Sequence, residues 1–375
     1  AAGRSPFFER LRPRPQPLEA GANFQRFTGG QALVGGLLIA CEERGIQVRT
    51  GVRARRLEAP AGRVEAVLAD TAAGGARHPA RRAVVIASGS FQWNSELTAR
   101  YIHGPAPHPF TPPSNEGDGI VMASTLGAAT ALMDETLWAP VIRVPGEEID
   151  GRELYRPFSV ESVRPHSIVV DRHGGRCYNE SFWPAVGEAF EARRLHQGEP
   201  VHAPLHWICD ASHRERYGVG GLAPGLQVPG WMQSAGSLAE LGRRLSLPAG
   251  SLEATVERFN GFCPGGVDED FGRGSGSYDR SWGDPEIGPN PCLAPLERPP
   301  FCAVQVHPGT VCHRGGLVVS PDAEVLDAWS NPIPGLYATS GAAAHLAMGA
   351  SYTSGFGHAQ SIVHATSAAD AIAAL

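Results

Sequence analysis

The chain contains 375 residues, of which 42% are hydrophobic and 7% aromatic, so it is long enough to bury the cores of two domains. Its formal net charge is −6, and this acidic balance predicts that nucleic acid is not a partner. All 32 basic residues are arginine, which excludes enzyme classes that depend on a Schiff-base, P-loop or general-base lysine.

The seven cysteines are scattered along the chain. They form neither a C-x-x-C pair nor a cysteine–histidine pair at zinc spacing. We therefore expect free thiols in a reducing cytoplasm, and we assign no metal site. No apolar run approaches the length of a transmembrane helix, so the sequence predicts no integral membrane segment.

The first elements predicted along the chain are a helix, an antiparallel excursion, by which we mean two β-like pieces joined by a turn, and a buried strand. Apolar residues recur at helical spacing over 28–45, and this segment ends at a glycine, which predicts a helix. Two β-like pieces then flank a turn at 60–63. The continuous apolar run AVVIASGSF at 83–91 predicts a buried strand that ends in a glycine-containing turn. Further on, the loop at 115–119 leads into a predicted helix that begins at Asp118.

From about Pro140 the sequence becomes a mixture of β-like runs and loops, which predicts a second domain. Strand-like runs return after about Pro299, and an Ala-rich helix is expected over 358–374. We therefore divide the chain into the remainder of a first domain at 1–143, an inserted domain at 144–300 and a return to the first domain at 301–375.

Two glycine-containing segments are candidates for holding a ligand. The turn ASGSF at 87–91 follows a strand, where a sharp bend of the backbone is a purely structural alternative. In SYTSGFG at 351–357, the glycines leave the backbone N–H groups of Phe356, Gly357 and His358 free at the start of a helix, where plain helix-entry glycines are the alternative. Free N–H groups at a helix N-terminus favour an anionic or electron-rich acceptor.

The order of motifs along almost the whole chain resembles the flavoproteins related to fumarate reductase. The motifs that carry this resemblance include TGGQAL, AVVIASGSFQWN, SNEGDGIVMASTLGA, IVVDRHGGRCYNES and IPGLYA. The stretches RFNGF, DEDFGRG and GDP with NPCLAPL are most similar to the 3-ketosteroid dehydrogenase branch. The resemblance implies an α/β (α+β) fold, in which an α+β cap domain is inserted into a partial Rossmann-like FAD-binding domain.

The resemblance also implies FAD as the cofactor and an apolar, steroid-like ketone as the substrate. A hydride would pass between flavin N5 and a C–C bond adjacent to the ketone. Residues in and near the two glycine-containing segments would contact the cofactor, and the free N–H groups would face the flavin C2 carbonyl. The implied cofactor contacts are Ala87, Ser88, Gly89, Ser90, Phe91, Asn94, Asp118, Ser340, Gly341, Gly355, Phe356, Gly357 and His358.

The family opens with a strand and a G-x-G-x-x-G turn that holds the FAD pyrophosphate, and this sequence contains no such fingerprint. The string GGQALVGG at 29–36 follows no predicted strand. The resemblance therefore implies that an opening of roughly 100 residues, on the scale of part of a domain, is missing or is supplied by another segment or a partner chain. A truncated, non-catalytic remnant that binds a ligand is the corresponding alternative function.

The resemblance places a ketone-binding tyrosine of the family at Tyr352, with Gly357 supplying a backbone N–H. The pattern Y-T-S-G at 352–355 differs from the Tyr-Pro-Gly pattern of Δ1 enzymes. It is closer to ketosteroid dehydrogenases that act at the C4–C5 bond, which implies that Tyr352 is a base assisted by Ser354. A tyrosine that only anchors the loop through its hydroxyl is the alternative.

A second tyrosine that the family carries in the cap domain is absent, because Phe182, Trp183 and Pro184 follow N-E-S here. Core packing is the simpler interpretation of Tyr178 and Trp183, and an apolar pocket wall is the alternative.

A carboxylate substrate is the alternative to a ketone. The fumarate branch carries His-Thr-Met-Gly-Gly and a later arginine, whereas this chain reads C-H-R-G-G at 312–316. We interpret His313 and Arg314 as surface residues and expect a neutral ketone. If these two residues instead bind a carboxylate, the function is fumarate reductase-like oxidoreduction of small carboxylic acids.

Overall fold

The computed structural model describes residues 30–375, apart from 195, 197, 221, 226 and 350. The first elements are α1 (Gly30–Glu43), β1 (Arg53–Glu58), β2 (Ala66–Thr71), β3 (Gly74–Pro79), β4 (Val84–Ile86), α2 (Ser95–Tyr101), β5 (His108–Pro109), α3 (Asp118–Ser124) and β6 (Thr130–Ala131). The helix predicted over 28–45 is confirmed by α1 for its described residues. The helix start predicted at Asp118 is confirmed by α3.

The antiparallel excursion contains three strands, whereas the sequence predicts two β-like pieces. β2 pairs with β1 and also with β3, where Thr71 lies opposite Gly74 across a two-residue connection. The sequence of β3 is GGARHP, which shows no apolar alternation, so no strand is predicted there. The strand forms because the tight turn folds this segment back onto β2.

The middle of the chain alternates strands with short helices: β7 (Thr136–Ile149), β8 (Arg152–Pro157), α4 (Ser159–Val163), β9 (Ser167–Val170), α5 (Val186–Glu191), β10 (Arg193–Arg194), β11 (Glu199–Pro200), β12 (Leu205–Cys209), α6 (Ala211–Tyr217), β13 (Gln233–Ala235), α7 (Leu238–Arg244), α8 (Ser251–Phe262) and α9 (Ser277–Trp282). Local caps fix two of the helix starts. Asp210 accepts a hydrogen bond from the N–H of His213 at α6, and Ser237 accepts one from Glu240 at α7.

The last part of the chain consists of β14 (Phe301–His313), β15 (Gly316–Leu317), β16 (Glu324–Leu326), β17 (Pro332–Ala338) and α10 (Phe356–Ala373). The Ala-rich helix predicted over 358–374 is confirmed by α10. A single turn of 3₁₀ helix at Ser340–Ala342 follows β17.

The buried strand predicted over 83–91 is wrong in its length and burial. Only Val84–Ile86 is a strand, and Val85 is 43% exposed. β4 pairs in parallel with β17 along one edge, and among the described residues no strand covers its other edge. The chain leaves the ladder at Ala87 and enters the glycine-containing turn.

The largest sheet has the order β8-β7-β14-β12-β9, with β13 and β5 also paired to β14. Two hydrophobic cores lie on opposite faces of this sheet. Successive side chains of β12 point to opposite faces, so Trp207 packs in one core and Ile208 in the other. β7 runs across residue 143 and pairs with β14, where Thr136 lies opposite His313. The domain boundaries at 143 and 300 stay predictions.

A third core lies where α3, β4 and β17 meet, and it contains Ile86, Phe91, Ile120 and Leu336. Ser90 of the glycine-containing turn donates its hydroxyl to the carbonyl of His313 at 3.1 Å, which holds the turn beside the end of β14. Within the described residues, no helix combines the length and the apolar character needed to cross a bilayer.

Candidate active site

A cavity of about 550 Å³, which we call the inner cavity, lies where several segments of the chain converge. It is bounded by the turn after β4, the end of β14, the 3₁₀ turn after β17 and the segment that leads into α10. Its volume lies within the range of about 300–1,000 Å³ that is usual for small-molecule sites. Its apolar wall is formed by Phe110, Leu137, Trp183 and Val311.

A second cavity of about 1140 Å³, which we call the outer cavity, lies on the other side of the turn after β4. Gly89, Asn115 and Ser340 line both cavities. Charged side chains line the outer cavity: Arg53 pairs with Asp118 at 2.7 Å, and Arg152 pairs with Glu116 at 3.0 Å. A long ligand with an aromatic end and a polar end would therefore find an apolar and a charged compartment side by side.

Backbone geometry keeps the junction of the two cavities open. Gly89 has φ +77°, and a Cβ atom placed there would lie 2.3 Å from Oδ1 of Asn115. A Cβ on Gly341 would lie 3.1 Å from the N atom of Ser90. Ser340 has φ +61°, a left-handed conformation that is uncommon outside glycine and is concentrated at functional sites.

The N-terminus of α10 opens onto the inner cavity. Its cap residue Gly355 has φ +84°, and no side chain caps the helix. Phe356 donates its N–H to the carbonyl of Thr353 at 3.2 Å. A Cβ on Gly357 would meet no atom within 4 Å, so the side of the first turn that faces the cavity is open. The first turn of α10 can therefore donate N–H groups to a ligand in this cavity.

Tyr352 lies on the apolar wall of the inner cavity, among aromatic side chains from the middle of the chain. Its ring is 5.0 Å from the ring of Trp183 and 5.8 Å from that of Tyr278. The hydroxyls of Tyr278 and Tyr352 are 3.4 Å apart, and Nε1 of Trp183 donates to the hydroxyl of Tyr278 at 3.0 Å. Burial raises the pKa of Tyr278 to about 12, so its hydroxyl keeps its proton at neutral pH.

Sequence reasoning missed Tyr278 as a site residue. It lies in the motif YDRSWGDP, which supports the family resemblance but gives no indication of a role. The contact with Tyr352 joins positions 74 residues apart, so only the folded chain reveals it.

The predicted site residues divide into four groups. Ser90, Gly341, Tyr352, Gly355, Phe356, Gly357 and His358 line the inner cavity, while Ala87, Ser88 and Asp118 line the outer cavity, and Gly89 and Ser340 line both. Phe91 is fully buried, with its ring 4.3 Å from that of His313, and Asn94 caps α2 by accepting from Leu97. Ser354 is exposed to solvent.

The prediction that His313 and Arg314 lie on the surface is wrong. His313 is fully buried and Arg314 is 3% exposed, because β14 extends into the sheet as far as His313, and His345, Gly349 and Ser351 bond to Arg314 at its end. Nδ1 of His313 lies 2.8 Å from Oγ1 of Thr136, and burial lowers the pKa of His313 to about 3. Arg314 lines the inner cavity, whereas His313 does not.

Of the two aromatic residues left with open alternatives, Tyr178 is 1% exposed and belongs to the core of the largest sheet. Trp183 lines the inner cavity. Among the residues that the structure describes, no group of three or more His, Cys, Asp or Glu side chains is arranged to hold a metal ion.

Comparison with known families agrees with this geometry. The profile of the FAD binding domain family matches residues 10–356, which is most of the chain. The chain belongs to this family. The prediction of FAD as the cofactor is thereby confirmed at the level of the family.

Two curated relatives are similar to most of this chain. It is 37% identical to 4-oxocyclohexanecarboxylate 2-dehydrogenase of Sinomonas cyclohexanicum over 333 residues, covering 87% of this chain and 57% of the relative. It is 35% identical to 3-oxosteroid 1-dehydrogenase of Mycolicibacterium smegmatis over 328 residues, covering 82% and 56% respectively. The chain therefore spans a little over half the length of these relatives.

Among solved structures, the fold is similar to that of 3-ketosteroid Δ1-dehydrogenase from Sterolibacterium denitrificans in complex with 1,4-androstadiene-3,17-dione. The TM-score is 0.85 at 31% identity, and the match covers 95% of this chain and 65% of that one. The predicted α/β fold class and the resemblance to the ketosteroid dehydrogenase branch are both confirmed.

Proposed function

We propose that this protein is an FAD-dependent dehydrogenase that oxidises a C–C bond adjacent to a ring ketone. One observation carries this function: the hydroxyl of Tyr352 and the uncapped N-terminus of α10 belong to the same largely apolar cavity. A ketone on the hydroxyl and an electron-rich ring on the helix N-terminus would therefore be held side by side. Close placement of two reactants contributes a large part of catalysis.

The cavities suit the two ends of FAD. The first turn of α10 offers N–H groups to the pyrimidine edge of the flavin ring, and the junction at Gly89 and Ser340 leads to the outer cavity. We propose that the predicted residues that line the two cavities contact the cofactor. Phe91 and Asn94 line neither cavity and instead stabilise the turn after β4. When bound, FAD supplies the hydride acceptor for the reaction.

Three side chains form a directed series of hydrogen bonds toward the ketone. Trp183 donates to Tyr278, and the hydroxyl of Tyr278 faces the oxygen of Tyr352. The proton of Tyr352 is then free to point at a ketone oxygen. The 3.4 Å separation of the two hydroxyls is longer than a typical O–H···O bond, and a ligand that orders Tyr352 can shorten it.

The directed series favours Tyr352 as a hydrogen-bond donor rather than as a base. A donor to the ketone withdraws electron density and makes the neighbouring C–H bond more acidic, which assists loss of the α-proton. We therefore propose that Tyr352 polarises the ketone. The exposed Ser354 has no part in this arrangement.

The apolar wall indicates the part of the substrate that enters the inner cavity. The side chains of this wall can pack against ring carbons but offer no free hydrogen-bonding group to a second polar group of the substrate: Phe110, Leu137, Trp183 and Val311. The single polar atom among them, Nε1 of Trp183, already donates to Tyr278. The two curated relatives are named for an oxocyclohexane and an oxosteroid, which share a six-membered ring ketone. We propose the same ring ketone as the substrate class here.

Substitution of Tyr352 by Phe tests this function. The Tyr352→Phe protein should bind FAD as the wild type does, while its kcat with a six-membered ring ketone and an artificial electron acceptor falls about 100- to 1,000-fold, the usual cost of losing one such donor. Tyr337→Phe is the matched control, because Tyr337 packs under α10 away from both cavities. Unchanged kcat in Tyr352→Phe would remove Tyr352 from the mechanism. FAD binding without turnover of any ring ketone by the wild type would favour the non-catalytic alternative.

A further inference from the structure

The guanidinium of Arg314 is buried at the wall of the inner cavity with only part of its hydrogen-bonding capacity used. The residue is 3% exposed. Nη1 donates to the backbone carbonyls of Gly349 and Ser351. Nε is buried without an acceptor, and neither Nε nor Nη2 bonds to any residue that the structure describes. The edge of the guanidinium formed by Nε and Nη2 therefore has no protein partner there.

Other buried arginines of the chain are neutralised by a carboxylate. Arg156 forms an ion pair with Glu147, and Arg273 lies 3.6 Å from Glu180. Within the described part of the chain, Arg314 has no such pair, and burial lowers its pKa below the usual range. A buried cation without a counter-charge is strongly destabilising, so a binding site that contains one is built for an anion.

The surroundings of Arg314 in the inner cavity strengthen this conclusion. Nδ1 of His345 is also buried without a partner, and His345 lines the same cavity. Burial raises the pKa of the Cys312 thiol to about 11, so this neighbour contributes no negative charge at neutral pH. No Asp or Glu is found among the described residues that line the inner cavity. The backbone carbonyl of Glu135 accepts the N–H of Arg314, but among the described residues the Glu135 carboxylate forms no ion pair with the guanidinium and only raises its pKa through its charge.

We propose, resting on the dehydrogenase function proposed above, that the ring ketone carries a carboxylate and that Arg314 binds this carboxylate. The planar guanidinium presents two parallel donors that match the two oxygens of a carboxylate. The substrate class is then an alicyclic keto acid, with its ketone on Tyr352 and its ring against the apolar wall.

Two arguments favour the substrate rather than the flavin as the ligand of the free guanidinium edge, and the first rests on the proposed position of the flavin. The N-terminus of α10 already offers the flavin pyrimidine ring a partial positive charge. The guanidinium also holds the carbonyl of Ser351, whose Cα is only about 3.8 Å along the chain from that of Tyr352. The carboxylate site and the ketone site are thus fixed to one short segment, which suits a compact molecule with both groups.

The test compares two substrates of similar shape, one with a charged carboxylate and one with a neutral amide. FAD-loaded protein is assayed with 4-oxocyclohexanecarboxylate and with the neutral 4-oxocyclohexanecarboxamide. The wild type should prefer the acid over the amide in kcat/KM by about 100-fold, and this ratio, measured within each variant, should fall at least tenfold in Arg314→Gln. Arg314→Lys should retain part of the preference for the acid, because lysine keeps the positive charge but lacks the two parallel N–H donors of the guanidinium. Arg258→Gln is the matched control, since Arg258 is an exposed arginine paired with Asp270.

Calorimetric titration with cyclohexanecarboxylate, which has no ketone to oxidise, measures the site without turnover. It should bind to the wild type and to Arg258→Gln and bind at least tenfold more weakly to Arg314→Gln. Equal use of acid and amide by the wild type overturns the carboxylate site whether or not the variants fold, and leaves the dehydrogenase function standing. Weakened FAD binding by Arg314→Gln with an unchanged acid preference also overturns it, because the guanidinium then serves the cofactor. Arg314-dependent binding of the acid, with neither ketone oxidised, supports the site and overturns the dehydrogenase function.

Discussion

Substitution of Gly89 by Ala should weaken FAD binding, because Gly89 forms the junction between the two cavities. A Cβ atom at this position would lie 2.3 Å from Oδ1 of Asn115, so the Asn115 side chain, which lines both cavities, must shift. The left-handed backbone at φ +77° adds about 1–2 kcal/mol of strain for any residue with a Cβ. Displacement of a packed neighbour typically costs about 1–3 kcal/mol more.

Gly127→Ala separates backbone strain from loss of the cofactor site. Gly127 has φ +84° and is exposed, and a Cβ there would meet no atom within 4 Å. Urea denaturation should show a loss of about 1–2 kcal/mol in unfolding free energy for Gly127→Ala and a larger loss for Gly89→Ala. Fluorescence titration should show FAD binding weakened at least tenfold, or about 1.4 kcal/mol, by Gly89→Ala alone. Equal FAD affinity in the two variants would refute the placement of the cofactor across this junction.

Three further variants test separate parts of the structure. Arg176→Met removes the guanidinium that bonds the buried carboxylates of Glu180 and Asp268, leaving Glu180 with Arg273 at 3.6 Å, and should lower the unfolding free energy by about 3–5 kcal/mol in urea; a loss below about 1 kcal/mol contradicts this. Burial lowers the pKa of His213 to about 3. As the pH falls below 6.5, the unfolded chain therefore binds a proton that the folded chain does not, and the unfolding free energy decreases by up to about 1.4 kcal/mol per pH unit. His213→Gln should therefore show a shallower acid slope in denaturation midpoints, and identical slopes would count against a buried neutral imidazole. Tyr278→Phe should lower kcat about three- to tenfold, the worth of one neutral hydrogen bond, and a loss as large as that of Tyr352→Phe would contradict its supporting position.

Features with a local cause could be predicted from the sequence. The Ala-rich composition and the preceding glycines locate α10 within two residues, and the acidic residue Asp118 marks the start of α3. Of the three N–H groups predicted to be free at the start of α10, that of Phe356 is bonded to the carbonyl of Thr353, while Gly357 and His358 line the inner cavity. The strand after Ala83 is shorter than predicted, because strand length depends on a distant partner, β17.

Features that depend on contacts between distant segments could not be predicted. Tyr278 reaches Tyr352 only because the middle of the chain folds over the inner cavity. Arg314 sits beside two glycines at the end of a strand, a context typical of a surface loop. It is buried because the carbonyls of Gly349 and Ser351 close over it, and no local pattern records that contact.

The reductive half-reaction tests the central claim most directly. FAD-loaded protein is mixed anaerobically with a six-membered ring ketone in the absence of an electron acceptor, and flavin absorbance and the enone product are followed together. Hydride transfer at this site predicts that the flavin is bleached in step with enone formation in the wild type, and that both changes are slowed about 100- to 1,000-fold in Tyr352→Phe. Bound flavin that stays oxidised with every ring ketone, or that is bleached equally fast without Tyr352, would contradict the account.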